Sequence, residues 1–211
     1  MYVRWHGQAC FTLRTCEGTT IRIDPFDRSL GLPITSEPAE ICLVTHDHAD
    51  HNAVQLVPGN PIVIREPGTH RVGGVEIVGL RAYHDANEGR RRGEVTIFVI
   101  KAEGLTLVHL GDIGHVPDAE TVGAIGSVDV LCVPVGGTFT IDAEEATRVV
   151  ELLAPRIAVP MHYRLRELSL PIDGVELFLA DKKNVKRQAE LGITAKSLPA
   201  ETEIVVLERR V

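Results

Sequence analysis

In "EICLVT", residues 40 to 45, four successive apolar side chains leave neither face polar, and the run leads directly into "HDHADH", residues 46 to 51. A strand without a polar face has to be covered on both sides, which places it inside a layered interior. The residues that follow cannot join that interior. Three histidines and two aspartates would lose their water partners there without gaining others. The chain must therefore build a sandwich-like core that ends at a polar edge. Two explanations of the cluster compete: a hydrated turn in which Asp50 caps a helix, or part of a metal site. A turn asks nothing more of the sequence, whereas a metal site needs further ligands elsewhere.

The rest of the chain supplies the layers. Residues 1 to 24 read as a β-meander, "YVRWH", "ACFTLRT" and "TIRID", ending at Asp24-Pro25. After a loop from Pro25 to Pro38 and the buried strand, "NAVQLV" predicts a short helix stopped by Pro58-Gly59. Strand patterns continue in "PIVIRE", "VEIVGL", "EVTIFVIKAEG", "LTLVHL" and "VDVLCVPV". "TIDAEEATRVVELLAP" is a helix, opened by a capping box of Asp142 and Glu145 and closed by Pro155. A strand "RIAVP" follows, then "VELFLA" as another. A charged helix "DKKNVKRQAELG" with Gly192 at its C-cap and a last strand "EIVVLER" complete the reading. Strands dominate the first half and alternate with helices in the second, so helices over two packed sheets account for the order. No composition break or repeat divides the chain, and residues 1 to 211 read as one α/β domain.

Composition limits the function classes. Aromatics make up only 4% of the chain, so the core rests on Val, Ile and Leu. The formal net charge of -7 gives no bulk electrostatic reason to bind nucleic acid. No apolar run approaches the roughly 18 to 20 residues that span a bilayer. "MYVRWHGQACFTL" reads as a strand and not a signal peptide. Cys10, Cys16, Cys42 and Cys132 show no CxxC spacing; Cys42 and Cys132 sit in apolar strands as core residues, which fits a reduced, cytoplasmic protein.

Further metal-type ligands do occur. His84 lies just past a strand in "AYHDANEG", Asp112 follows one in "LVHLGDIGH", and His162 follows one in "IAVPMHYR". Strand ends can converge at one edge of a sandwich, which is how ligands distant in sequence could share an ion. Imidazole and carboxylate suit zinc, manganese or iron. His46, His48, Asp50, His51, His84, Asp112 and His162 together make seven ligands, enough for two ions about 3.5 to 4 Å apart.

With that set in place, the sequence resembles the metallo-β-lactamase superfamily. His46-x-His48-x-Asp50-His51 after an apolar strand, the later His84, Asp112 and His162, and the "GDIGH" and "PVGGTFTIDAEEA" stretches carry the resemblance over nearly the whole chain. It is most similar to the branch that contains ascorbate-6-phosphate lactonase and N-acyl phosphatidylethanolamine phospholipase D. The resemblance implies a four-layer αββα sandwich with the site at one edge. It implies that His46, His48 and His84 hold one divalent ion, that Asp50, His51 and His162 hold a second, and that Asp112 bridges them. Position 48 is His, which the resemblance associates with hydrolysis rather than redox chemistry.

Such a site lowers the pKa of bound water to about 7 and supplies a hydroxide nucleophile. Asp50 orients it and takes its proton. The expected reaction is cleavage of an ester, lactone or phosphodiester in a small molecule, zinc being the expected metal with manganese or iron as alternatives. Arg164 and Arg166, just beyond His162, suggest an anionic substrate group, and His115 lines the pocket or supports a ligand. Arg90 to Arg92 could also read a phosphate, although a charge run is usually a solvated face. His109 reads as a satisfied core residue, His70 as an exposed loop residue, and Asp24 as support for a ligand histidine. Relatives often carry Gly-His where this chain has Gly7-Gln8, so a histidine's role at that place is open here. Two other functions compete: a phosphodiesterase or nuclease acting on nucleic acid, and a non-catalytic metal-binding protein. The acidic charge and the lack of a spare segment disfavour the nuclease. Oligomeric state, a homo-oligomer included, is left open.

Overall fold

The computed structural model describes residues 1–168 and 170–209. Two sheets face each other. The first has the order β13-β1-β2-β3-β4-β5, built from β1 (Tyr2–Gly7), β2 (Cys10–Arg14), β3 (Thr20–Ile23), β4 (Ile41–Leu43), β5 (Ile62–Ile64) and β13 (Leu191–Gly192). The second has the order β12-β14-β11-β10-β9-β8-β7-β6. Its members are β6 (Gly68–Val72), β7 (Val75–Tyr83), β8 (Glu94–Ala102), β9 (Leu105–His109), β10 (Val130–Pro134), β11 (Ile157–Met161), β12 (Val185–Gln188) and β14 (Glu203–Leu207). The fold is α/β, as the residue pattern predicts.

Alternation explains the inner faces. Val3, Trp5, Phe11, Leu13, Ile21, Ile23, Ile41 and Leu43 of the first sheet meet Phe98, Ile100, Leu107, Val130, Cys132 and Val159 of the second in one apolar core. β4 is buried on both faces because Cys42 turns away from that core and packs with Ala39, Val44 and Val57. The outer cover is uneven. α1 (Ala119–Ile125) lies against β7, α2 (Ala143–Leu153) against β10, and α3 (Val175–Leu179) against α2. Beside the six-stranded sheet stand two 3-10 turns, Arg28–Leu30 and Val54–Leu56, with their loops. The second turn is all that forms of the helix expected in "NAVQLV". No helix among the described residues is long and apolar enough to cross a membrane.

Two C-terminal expectations are exchanged. "VELFLA" forms α3, because Val175 and Phe178 bury one helical face while Glu176 and Leu177 stay exposed. "DKKNVKRQAELG" forms no helix; it contributes β12, and Gly192 lies in β13 instead of capping a helix. Among the described residues β12 pairs only with β14, at the sheet margin, where exposed Lys186 and Arg187 suit an edge strand. His70, expected in a loop, is half-buried in β6 at the opposite margin.

Strand direction sets the position of the site. β3, β4 and β5 are parallel, and two antiparallel steps return β1 to the same sense. In the other sheet β9, β10 and β11 are parallel, and two antiparallel steps give β7 their sense. Residues following β1, β3 and β4, and those following β7, β9 and β11, therefore collect at one edge of each sheet. Hydrogen bonds from Thr96 N–H to Thr45 O (2.8 Å) and from His162 N–H to Gln8 O (3.1 Å) join the two edges.

At the same edge, where the loop after β10 ends, the capping box of α2 forms as the sequence predicts: the Asp142 side chain accepts from Glu145 N–H, and the Glu145 side chain from Asp142 N–H. Asp142→Ala removes one of these bonds and should lower stability by about 1 kcal/mol, read as a shifted urea midpoint with an unchanged slope. No shift would show that neighbouring packing alone fixes this helix end.

Candidate metal centre

The site begins with a carboxylate that has left water entirely. Asp24 follows β3, and its N–H donates to Leu43 O (2.9 Å), extending the β3–β4 pairing by one residue. Its Oδ1 accepts from Thr45 N–H (2.8 Å); its Oδ2 accepts from Thr45 Oγ1 (2.7 Å) and from His51 Nδ1–H (2.9 Å). A proton on Nδ1 leaves the lone pair of His51 on Nε2, facing the site. Thr45 Oγ1 in turn stands 3.0 Å from His46 Nδ1, so the same carboxylate orients His46 through one hydroxyl. Support for a ligand histidine by Asp24 is what the sequence predicts, although the hub is wider than one bond.

The seven sequence-selected side chains gather in two groups. His46, His48 and His84 form one and Asp50, His51, Asp112 and His162 the other, the candidate ligand atoms of each lying within 4.8 Å of one another. In the first group His46 Nε2 is 3.0 Å from His48 Nδ1, and the His84 ring is 4.7 Å from that of His46. In the second, Asp112 Oδ2 lies 3.2 Å from His51 Nε2 and 3.1 Å from His162 Nε2, while Asp50 Oδ2 lies 3.3 Å from His51 Nε2. Asp112 Oδ2 also comes within 3.6 Å of His84 Nε2 in the first group. His51 Nε2, Asp112 Oδ1 and the Nδ1 atoms of His84 and His162 are buried without a hydrogen-bond partner among the described residues. Buried polar atoms are nearly always satisfied, and a cation among these groups would satisfy His51 Nε2 and Asp112 Oδ1; the two Nδ1 atoms lie across their rings from the Nε2 atoms that face Asp112. The donor set of imidazole and carboxylate fits a divalent first-row metal.

Protonation follows from the neighbours. Burial, reinforced by the His51 charge, lowers His46 to about 3, so it is a neutral lone-pair donor at any physiological pH. Burial likewise lowers His84. Burial pulls His51 down too, but the Asp112 and Asp24 carboxylates outweigh it and hold it well above the usual imidazole range. Asp112 is pushed up by burial and pulled further down by His162 and His51, ending well below the usual carboxylate range. Asp50 also falls, burial being overcome by its bond with His51. Two ionised carboxylates therefore face the Nε2 atoms of His51 and His162, where a proton and a metal ion compete for the same lone pairs.

The rim is built by loops that pass close to these candidate ligands. A Cβ on Gly136 would stand 2.2 Å from His162 O, and one on Gly114 would stand 2.5 Å from the Asp85 backbone, so both positions require glycine. Asp85, beside His84, accepts from the N–H groups of Asn87 (2.7 Å), Gly89 (3.2 Å), Arg91 (2.9 Å) and Arg92 (2.8 Å) and curls residues 85 to 93 around itself. The Arg92 guanidinium lies over Phe139, 5.3 Å from the ring centre, and ties that loop to the one after β10. His115 is held by backbone at both nitrogens: Nδ1 donates to Val116 O (3.1 Å), and Nε2 accepts from Tyr83 N–H (3.4 Å). Arg164 is not gathered with the ligands. It lines a groove of about 370 Å³ with Trp5, Tyr163, Arg166, Arg187 and Arg209, to which none of the seven contributes. His109 is a core residue with both nitrogens satisfied, Nε2 donating to Ala9 O and Nδ1 accepting from Gly111 N–H. Gln8 is the residue that sequence reasoning leaves without a role. It is fully buried, with its amide nitrogen 3.0 Å from Asp50 Oδ2 and 2.8 Å from His162 Nε2. Its place directly after β1, like the other site residues after their strands, is the signal that could have found it.

Comparison with known proteins agrees with this architecture. Residues 2–162 match the Beta-lactamase superfamily domain, so the chain belongs to the beta-lactamase superfamily. Within it, the chain is 33% identical over 195 residues to a UPF0173 metal-dependent hydrolase of Pyrobaculum arsenaticum, covering 77% of this chain and 84% of that protein. A relative of the same description from Pyrococcus abyssi is 34% identical over 191 residues, covering 76% and 84%. A crystal structure from Thermotoga maritima, proposed to be a Zn-dependent hydrolase of the metallo-β-lactamase superfamily, superposes with a TM-score of 0.83 at 38% identity over 98% of both chains. The chain is a metal-dependent hydrolase of this superfamily.

The Asp85 knot carries a pH prediction. Burial raises its carboxyl, but the N–H groups of Arg92, Arg91, Asn87 and Gly89 prevail and lower it to about 2. The carboxyl of the unfolded chain titrates near about 3.9. The folded value being the lower one, the stabilisation is full above about pH 4 and fades as pH falls toward 2. Asp85→Asn should therefore be less stable than wild type in urea at neutral pH, with the gap narrowing as pH falls through this window. A gap independent of pH would show that the charge of Asp85 is not what orders the loop.

Proposed function

We propose that residues 1 to 211 form one cytoplasmic domain that holds two divalent ions, zinc in the first instance. We further propose that it hydrolyses an ester, lactone or phosphodiester bond in a small anionic molecule. The observation that carries the reading is Asp112. A single carboxylate oxygen lies between the two groups, 3.1 and 3.2 Å from His162 and His51 on one side and 3.6 Å from His84 on the other. Four free cysteines, three of them buried, support a reducing compartment. The resemblance to lactonase and phospholipase relatives supports the bond type.

In this reading His46, His48 and His84 hold one ion, Asp50, His51 and His162 the other, and Asp112 serves both. Ions held there would lower the pKa of water toward neutrality and polarise the oxygen of the scissile group. The residues do the rest. Asp50 is half-buried, and its Oδ2 is steadied by Gln8 and His51, so its carboxylate can orient the attacking water and take its proton. Asp24 and Thr45 keep His51 and His46 in the tautomers that leave Nε2 free. His48 is exposed and lines a hollow with Asp27, Asp47, Ala49 and Asn52, which gives the substrate its approach. A negative charge on the substrate is supported by Arg92, held over Phe139 between two rim loops.

The test pairs two neighbours. In a screen of chromogenic phosphodiesters, lactones and esters, His48→Ala should lower kcat/KM at least about 100-fold, the scale of removing one preorganised electrostatic stabiliser. Asp47→Ala, one residue away, outside both groups and only lining the approach, should lower kcat/KM far less than His48→Ala does. Chelation should abolish hydrolysis, and zinc, manganese or iron should restore it. Activity that survives both chelation and His48→Ala would refute the reading.

A further inference from the structure

Gln8 is unlike the seven side chains of the two groups because it cannot titrate. It directly follows β1 with a left-handed φ of 51°. Its carbonyl accepts from Trp5 Nε1 (2.9 Å) and from the N–H of His162 (3.1 Å), so its position is tied to the residue that joins the second group. The head of its side chain lies 3.0 Å from Asp50 Oδ2 and 2.8 Å from His162 Nε2. Members of that group keep separations of 3.1, 3.2 and 3.3 Å among themselves. Ligand atoms about 2.0 to 2.2 Å from one ion stand roughly 3.4 Å from each other in a tetrahedron. The carboxamide head therefore occupies the place of one more member.

Chemistry decides which end of the carboxamide belongs there. The nitrogen has no free lone pair, and its N–H groups use the same Asp50 and His162 lone pairs that an ion would use. Its oxygen, Oε1, is buried and has no hydrogen-bond partner among the described residues. Rotation about the terminal torsion is broad and two-fold, so a half-turn exchanges the two atoms without moving the chain. We propose that Gln8 Oε1 is a further ligand of the ion held by Asp50, His51, Asp112 and His162. The proposal rests on the two-ion reading above. A fifth ligand, an uncharged oxygen, moves this ion away from four-coordinate geometry and toward the higher coordination that manganese and iron accept.

The test is equilibrium dialysis and visible absorption with Co²⁺ on wild type, Gln8→Leu and Gln8→Glu. Wild type should take two ions per chain. Gln8→Leu should keep the first ion and bind the second about 10- to 100-fold more weakly, the range seen when groups supporting a metal are removed. Its cobalt absorption should intensify as the coordination number falls. Gln8→Glu is isosteric and keeps an oxygen at the same place, so it should bind the second ion at least as tightly as wild type. If Gln8→Glu weakens that ion as Gln8→Leu does, the N–H bond to Asp50 is what matters and the ligand role is overturned. Unchanged affinity and spectrum in both variants overturn it as well. Should Gln8→Leu not fold, Gln8→Glu still separates the two outcomes. Fewer than two ions on wild type would instead remove the two-ion reading itself, a failure visible without either variant.

Discussion

A carboxylate buried inside an apolar sandwich is tolerated only where donors surround it, and Asp24 is surrounded by donors from the very residues that make the site. The N–H and hydroxyl of Thr45 and the imidazole of His51 all converge on it. Pairing of β3 with β4 brings Thr45 within reach, and the three bonds then hold the start and the end of the histidine cluster in place. Fold and site are thus linked at one side chain. Removing it would expose the end of β4, the tautomer of His51 and the orientation of His46 together. For that reason the loss would not be confined to a single side chain.

The same edge carries backbone strain. Gln8, Asp24 and His162 each follow a strand and each has a positive φ, at 51°, 45° and 50°. Such a conformation costs roughly 1 to 3 kcal/mol in a residue other than glycine and persists only where the surroundings impose it. Here the imposing contacts are visible: Gln8 O accepts from His162 N–H, and the His162 carbonyl lies against Gly136. The apolar core between the sheets supplies the rigidity that allows three strained turns to hold a charged cluster.

Much of this was legible because the site is an end effect of the strands. His46, His84, Asp112 and His162 all stood out as polar residues just past apolar runs, and parallel strand direction does bring such positions to one edge. The sequence misled where a strand lies at a margin. β6, with "GTHRV", and β12, with "VKRQ", are the two outer strands of the larger sheet, and neither has the apolar alternation that marks an inner strand. Conversely, the short apolar run of α3 imitates a strand, since periodicity needs more length than five residues to declare itself. Arg164 was expected near the ligands from its place two residues after His162. The left-handed turn at His162 and the bond from Arg164 N–H to Asp173 O carry the chain past the site instead. Gln8 was hidden for another reason, because a lone glutamine signals no chemistry until its neighbours are known.

The central claim is that one fold edge holds two ions with Asp112 between them. Anomalous diffraction from crystals of the metal-loaded protein tests it most directly. The account predicts two peaks about 3.5 to 4 Å apart, one among His46, His48 and His84 and one among Asp50, His51 and His162, with the Asp112 carboxylate reaching both. A single peak, or a pair that leaves Asp112 on one ion only, would contradict it.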